Sequence, residues 1–378
     1  MKPLLSIVIP TKNRQKYCLA AINQILSLHL KSFEICIQDN SDSNSLLADI
    51  ELLNDEHIIY NYHEGVLSFV DNFSEAVSLC SGEYLCMIGD DDGILGNIDD
   101  VLQFAISNSA DAIIPAIDYA YYWPTDKPLV AGGENGYLLA PKLQSSPTYL
   151  AVNPILDKLL QNAGQDYQKL NLPRLYHGLV KRSCMDAIKK RTGVLFDGLT
   201  PDIYIAAALL QVCKLVYKTN ISITISGVCP TSGSADSDTG RHTGSLSSAP
   251  HFRGHSKYHW YSIVPYVYCV ETIWAETLLH VLDNFGLRDR IHKFNVSLLD
   301  SICYYSHKQL REPVLMHARQ YNISQEKMLF LYIKYKLPYY LHKILQRIKR
   351  NLGFSRKVVK YFDVLDIQAA HNLIINNK

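Results

Sequence analysis

Three consecutive carboxylates, Asp90, Asp91 and Asp92, stand between Gly89 and Gly93, directly after the apolar run Tyr84 to Ile88 (YLCMI). Like charges this close repel one another unless a cation offsets them. Hard divalent ions such as Mg²⁺ and Mn²⁺ take oxygen ligands, often one or two carboxylates plus substrate phosphates. A diphosphate held this way leaves more readily, because the charge that develops on it is offset. The plainer reading of the trio is a solvated acidic turn. Two further acids carry the same double reading. Asp39 closes the run FEICIQ and is either an Asx-turn residue or an acceptor for a nucleobase N–H. Asp202 follows Pro201 at the head of the apolar stretch Ile203 to Val212. There it is a first-turn acid favoured by the helix dipole, a general base facing a donor across a metal site, or both.

The elements that must position these acids are legible from periodicity. Leu4 to Ile9 (LLSIVI) is a continuous, β-branched run that suits a strand buried on both faces. Further strands are expected at Phe33 to Gln38, His57 to Tyr60, Tyr84 to Ile88, Ala112 to Pro115, Leu175 to Val180 and Ile221 to Ser226. Helical spacing covers Gln15 to Leu30, Leu46 to Leu53, Val66 to Leu79, Ile98 to Ile106, Ser183 to Lys190 and Pro201 to Val212. Such alternation predicts an α/β fold with a mainly parallel sheet covered on both faces. Ligands of such sheets bind beyond the C-terminal strand ends. Pro10 to Arg14, Asp39 to Asp42 and Asp90 to Asp92 fall at three of those ends and should converge on one crevice. Residues 119 to 172 are irregular, and the polar stretch 229 to 254 is long enough to be a lid. Beyond Ser256 helical periodicity takes over with almost no strand signal, so a boundary is expected near 255.

Composition bounds the rest. The chain has 378 residues, 48% apolar and 19% charged, with a formal charge of +1. This is a globular balance with room for two regions, and it gives no sign of a nucleic-acid partner. Nine cysteines lie scattered without a C-x-x-C pair, as expected of reduced, buried thiols in a cytoplasmic protein. The N-terminal apolar run is too short for a signal peptide or a membrane span.

Taken together, SIVIPTKNR, ICIQDNSD, NFSEAVSLCSGEY (Asn72 to Tyr84) and MIGDDDG resemble glycosyltransferase family 2. These are inverting enzymes of the GT-A fold, and the chain is most similar to those building bacterial O-antigen and capsule polysaccharides. The resemblance spans roughly residues 4 to 226. It implies a GT-A catalytic region over 1–255, a Rossmann-like, mainly parallel sheet with helices on both faces, and a C-terminal α-helical region over 256–378. It also implies transfer of a sugar from a nucleotide-sugar, on family grounds a UDP-sugar, to a hydroxyl of a lipid-linked glycan. By the resemblance, Pro10, Thr11 and Arg14 line the nucleotide pocket and Asp39 contacts the base. Asp92, with Asp91, binds Mn²⁺ or Mg²⁺ across the diphosphate, and Asp90 approaches the ribose. The register is not fixed, since many members read Asp-x-Asp-Asp and Gly89 stands where their first Asp would align. Asp202 matches the catalytic base, with Thr200 and Pro201 where many members carry an acid. Arg241 and His242 are the loop residues implied to meet the diphosphate.

Between Glu326 and Asp363 there is no acidic residue, while ten Lys and Arg alternate with Leu, Ile and Tyr. This is the pattern of a helix lying on an anionic membrane, here the inner face of the cytoplasmic membrane, or of a helix with a solvated basic face. Two other functions share parts of this pattern. A nucleotidyltransferase normally has a glycine-rich phosphate loop after its first strand, where this chain reads PTKNRQ. A non-catalytic nucleotide-sugar-binding protein would be separated from an enzyme by substituting Asp202. No G-x-G-x-x-G follows the first strand, which argues against a dehydrogenase.

Overall fold

The computed structural model describes residues 2–126, 135–141, 146–232, 243–244, 246, 249–254, 258–351 and 358–376. The chain begins as a series of strand–helix units: β1 (Leu5–Thr11), α1 (Gln15–Leu26), β2 (Phe33–Asp39), α2 (Leu46–Leu53), β3 (Ile58–Tyr62), α3 (Phe69–Ser78) and β4 (Tyr84–Met87). β1 pairs in parallel with both β2 and β4, and β2 with β3. β1 and β2 are buried along their whole length, which explains their unbroken apolar runs. Leu5, Ile7 and Ile9 enter one core layer with Cys18, Ile22 and Ile25 of α1, while Val8 enters the opposite layer with Val70 and Val77 of α3. The period of two along the strand thus feeds two faces at once.

The next elements are β5 (Gly93–Ile94), α4 (Asn97–Ser107), β6 (Ala112–Ala116), β7 (Ala120–Tyr122), β8 (Tyr137–Pro141), β9 (Tyr149–Val152) and α5 (Leu156–Gln161). They are followed by β10 (Leu179–Lys181), α6 (Arg182–Thr192), α7 (Pro201–Leu209), β11 (Val216–Ser222) and β12 (Thr224–Val228). The main sheet runs β3-β2-β1-β4-β10-β6-β11-β9. It is mixed: β10 is antiparallel to β4 and β6, and β9 to β11. The α/β architecture expected from the sequence is the one observed, with two local differences. Residues 175–180 are not one strand, because His177 adopts a left-handed backbone (φ 55) and only Leu179–Lys181 extends. Residues 221–226 divide between β11 and β12, which join different sheets.

After β13 (Thr243–Gly244) and β14 (Tyr268–Cys269) the chain is mostly helical: α8 (Val270–Asn284), α9 (Val296–Ser306), α10 (Arg311–Gln320) and the long α11 (Gln325–Asn351). It does not remain separate from the first region. β15 (Val358–Phe362) pairs antiparallel with β8 and completes a second sheet, β15-β8-β7-β12-β5. α12 (Ile367–Asn376) then buries Ile367, Ala370 and Ile374 beside Leu95, Trp123 and Ile225. Almost no strand signal is legible beyond Ser256, because β15 is five residues at a sheet edge with no fully buried position.

Candidate functional site

In-register pairing of Thr11 with Asp39 brings the polar segments after β1 and β2 side by side. Asn13 turns the chain at φ 56. Its amide donates to Ser41 Oγ at 2.7 Å, its side chain donates to Asp42 at 2.8 Å, and Lys12 Nζ donates to the Asn40 carbonyl at 2.6 Å. Pro10 lies within β1 opposite Gln38. Asp39 is fully buried. Its Oδ1 accepts the Ser41 amide at 2.8 Å, the Asx-turn bond, and its Oδ2 accepts the Tyr60 hydroxyl at 3.0 Å.

The acidic trio follows β4 as a tight, buried turn whose three carboxylates point to different partners. Asp90 Oδ2 accepts the Thr11 hydroxyl at 2.6 Å and faces Arg14 Nε at 3.0 Å. Its other oxygen, Oδ1, is buried without a hydrogen-bond partner. Burial, opposed by Arg14, pushes the Asp90 carboxyl up to about 7. Asp91 Oδ1 stands 3.8 Å from Arg14, and its Oδ2 accepts the Cys229 amide at 2.9 Å. Its main-chain carbonyl accepts the Trp123 indole N–H at 2.9 Å. Asp92 is turned inward. Its Oδ1 accepts Gly227 N–H at 2.6 Å, and its Oδ2 accepts Gly89 N–H at 2.7 Å and the Tyr176 hydroxyl at 2.8 Å, with His177 Nε2 at 3.3 Å. Burial and Asp91 nevertheless hold its pKa well above the ordinary carboxylate range.

Arg14 is the outward-facing cation of this group, 24% exposed where the Asp90 side chain is sealed. Burial works against its charge, but Asp90 and Asp91 keep it protonated. Among the described residues, one guanidinium thus faces two of the three buried carboxylates, Asp90 and Asp91, and one carboxylate oxygen, Asp90 Oδ1, lacks any donor. That deficit of positive charge and the orphaned Asp90 Oδ1 fit a divalent cation at the edge of the trio.

His177 and Tyr176 were not singled out by the sequence, where they sit inside the apolar run LYHGLV. Burial drives the His177 pKa down to about 3. The neutral ring lies between Thr224 Oγ1 at 2.9 Å from Nδ1 and Asp92 Oδ2 at 3.3 Å from Nε2. The Tyr176 phenol is held protonated by burial and then by the charges of Asp92, Asp91 and Asp202. The same hydroxyl therefore touches the trio and lies within electrostatic reach of Asp202. In α7 every other residue from Pro201 to Leu209 is buried, whereas Asp202 is partly exposed. Desolvation raises its carboxyl to about 6. Arg241 and His242 lie outside the described residues.

Residues 6–147 match the model of the family described as Glycosyl transferase family 2, so this stretch carries that family's sequence pattern. The abequosyltransferase RfbV of Salmonella typhimurium is 31% identical over 113 residues, 29% of this chain and 34% of that protein. The GalNAc(5)-diNAcBac-PP-undecaprenol beta-1,3-glucosyltransferase of Campylobacter jejuni is 31% identical over 110 residues, 27% of this chain and 35% of that protein. Among solved structures, S. aureus TarS 1-349 in complex with UDP-GlcNAc superposes with a TM-score of 0.46 at 12% identity, covering 88% of this chain and 79% of that one. The chain spans about a third of the length of the curated relatives it matches.

Proposed function

We propose that the chain is an inverting glycosyltransferase of the GT-A type that moves a sugar from a nucleotide-sugar, by family a UDP-sugar, to a hydroxyl of a lipid-linked glycan in bacterial surface polysaccharide synthesis. The observation that carries this reading is the buried acidic turn beside Arg14, whose partner Tyr176 lies within electrostatic reach of a part-exposed carboxylate of raised pKa at the head of α7. The names of the Salmonella and Campylobacter relatives support the substrate class.

In this reading the donor lies over the ends of β1, β2 and β4, with its base toward Asp39, its nucleoside along Pro10, Thr11 and Asp90, and its diphosphate at Arg14. Asp202 accepts the proton of the acceptor hydroxyl. The oxygen attacks the anomeric carbon opposite the departing nucleotide, and the configuration inverts. General-base action of this kind is typically worth on the order of 10²–10⁴-fold, with the remainder from positioning and charge stabilisation. A bound Mn²⁺ or Mg²⁺ would be held by Asp91 with Asp90, and supplies positive charge against the leaving diphosphate. Asp92 is given a different role from the one its family match implies, because both its oxygens are engaged by Gly89, Gly227 and Tyr176. It braces the turn.

The membrane side of the reading rests on α11. Leu329, Phe330, Ile333, Leu337, Leu341 and Ile344 are exposed along it, and Lys334, Lys336, Lys343 and Arg347 are interleaved. Among the described residues no helix is long and apolar enough to cross a membrane. We assign α11 to the anionic inner surface of the cytoplasmic membrane.

The test is a nucleotide-release assay over a panel of nucleotide-sugars with an undecaprenyl-diphosphate-linked acceptor, with Mn²⁺, with Mg²⁺ and with chelator. One donor should turn over, chelator should stop it, and Asp202→Asn should stop it with nucleotide binding retained. Turnover indifferent to chelator removes the metal, and full activity of Asp202→Asn removes the mechanism. Sedimentation with anionic but not zwitterionic vesicles tests α11 separately.

A further inference from the structure

The helical region contains a second group of metal-ligating side chains that the transfer reaction does not use. Cys269 is the N-cap of α8, where its sulfur accepts the Thr272 amide in a capping box. Glu271 is in the first turn of the same helix. Cys303 lies in the last turn of α9, and His307 is that helix's C-cap. The ligand atoms of Cys269, Glu271 and His307 all fall within 4.8 Å of one another. The Cys303 sulfur is 3.8 Å from the Cys269 sulfur, and both cysteines are fully buried. His307 Nε2 and Glu271 Oε2 meet at 2.9 Å.

We infer that Cys269, Cys303, His307 and Glu271 form a structural zinc site. Two sulfurs, one imidazole and one carboxylate are a donor set that zinc accepts, in tetrahedral geometry. Zinc–sulfur bonds of about 2.3 Å at the tetrahedral angle set two sulfurs about 3.8 Å apart, which is the separation observed here. Two packed thiols also touch at that distance, so the carboxylate and imidazole grouped with the Cys269 sulfur carry the assignment, and Cys303 supplies the fourth donor through its contact with Cys269. The spacing supports the same conclusion. Cys303 in the last turn of α9 and His307 at its C-cap are tied by the His307 N–H bond to the Cys303 carbonyl, and Cys269 and Glu271 share the start of α8. Two short ligand pairs on separate helices close a site that no C-x-x-C pattern announces.

The placement gives the site a purpose. Cys269 belongs to β14, whose partner is β13, with Thr243 opposite Cys269. Gln309, just after His307, donates to Thr243 Oγ1 at 2.9 Å. An ion held here fastens α8, α9 and the return of the polar stretch that follows β12 to one point. The inference does not depend on the proposed transfer reaction.

The experiment uses the full chain purified under reducing conditions without chelator, and zinc as the probe. Elemental analysis should find about one zinc per chain after extensive dialysis. Co²⁺ exchanged into the protein should give an intense near-ultraviolet thiolate-to-cobalt band and visible bands of tetrahedral strength. Cys269→Ser and His307→Ala should lose the metal, and Cys303→Ser should weaken Co²⁺ binding at least tenfold and shift the charge-transfer band. Stripping zinc should lower the melting temperature of the wild-type chain. The inference is overturned if the wild-type chain holds no zinc above blank and shows no cobalt spectrum after supplementation. It is equally overturned if the Cys269–Cys303 pair is recovered as a disulfide with no metal, or if the substituted chains keep full zinc. Because the wild-type metal content is itself decisive, a variant that fails to fold does not blunt the test.

Discussion

At the scale of single residues, the acid at position 202 makes the sharpest demand. Its carboxyl is raised to about 6 by desolvation, against about 3.9 for an ordinary Asp. As a general base it must be ionised, so kcat should fall on the acid side with an apparent pKa near that value and level off above neutrality. The stability sign is opposite. A carboxyl whose folded pKa is raised contributes stability that is fully present below its unfolded pKa and is lost as pH rises through about 6. Asp202→Asn should therefore raise the melting temperature at pH 7, by about 1 kcal/mol of stability once partial exposure is allowed for, while lowering kcat on the order of 10²–10⁴-fold. A melting curve and a pH–rate profile on the same preparation check both. The trio makes a second demand. Asp91→Asn should abolish the response to added Mn²⁺ with little change in melting temperature. Asp92→Asn presents an amide to the Gly227 or Gly89 N–H and should lose about 2 kcal/mol of stability. Equal effects of the two substitutions on metal titration and melting would contradict the separate roles.

Elements decide whether those residues meet. β12 runs so close to the acidic turn that a Cβ on Gly227 would lie 1.8 Å from the Asp91 carbonyl oxygen. Both are backbone-held, so neither can yield, and Gly227→Ala should cost several kcal/mol or prevent soluble expression. A control is Gly96→Ala, where nothing stands within 4 Å; denaturant melts of the pair read the difference. This close approach also shows what the sequence could and could not reveal. β1, β2 and β4 were legible because strands buried on both faces write continuous apolar runs, and the polar clusters at their ends followed from strand direction alone. That β12 rather than β11 would cradle Asp91 and Asp92 was not legible, since ISITIS reads as one strand and pairing partners leave no local mark. Tyr176 and His177 stayed hidden for a related reason. Their run looks extended, and only the left-handed backbone at His177 turns both side chains onto Asp92. The acids, Thr11 and Arg14 were visible by type and spacing, whereas the amides of Gly227 and Cys229, the Tyr176 hydroxyl and the Trp123 indole that hold the turn come from far along the chain.

Across the whole molecule, the end of the chain supports the site at its beginning. β15 covers the edge of β8, and α12 packs against the strand leaving the acidic turn: a Cβ on Gly93 would meet Ile367 Cγ1 at 2.8 Å. Ile367 shares a buried cluster with Trp123 and Cys229, whose indole and backbone amide bind Asp91. A boundary near residue 255 therefore separates helix-rich from sheet-rich sequence but does not separate two independent bodies. α11 follows α10, packs on α9 and is followed by β15 on the second sheet, so it is held to the fold on either side. Ile367→Ala, a large-to-small change in a fully buried position, should destabilise by about 2–5 kcal/mol. It should also weaken Mn²⁺ dependence, through loosening of Trp123 and Cys229 around Asp91, although it touches no proposed ligand. A matched substitution in the opposite layer, Leu278→Ala on α8, removes a comparable buried side chain and should destabilise without moving the metal titration. If both variants shift that titration alike at matched stability, the effect is general softening, and the C-terminal segment has no particular hold on the site.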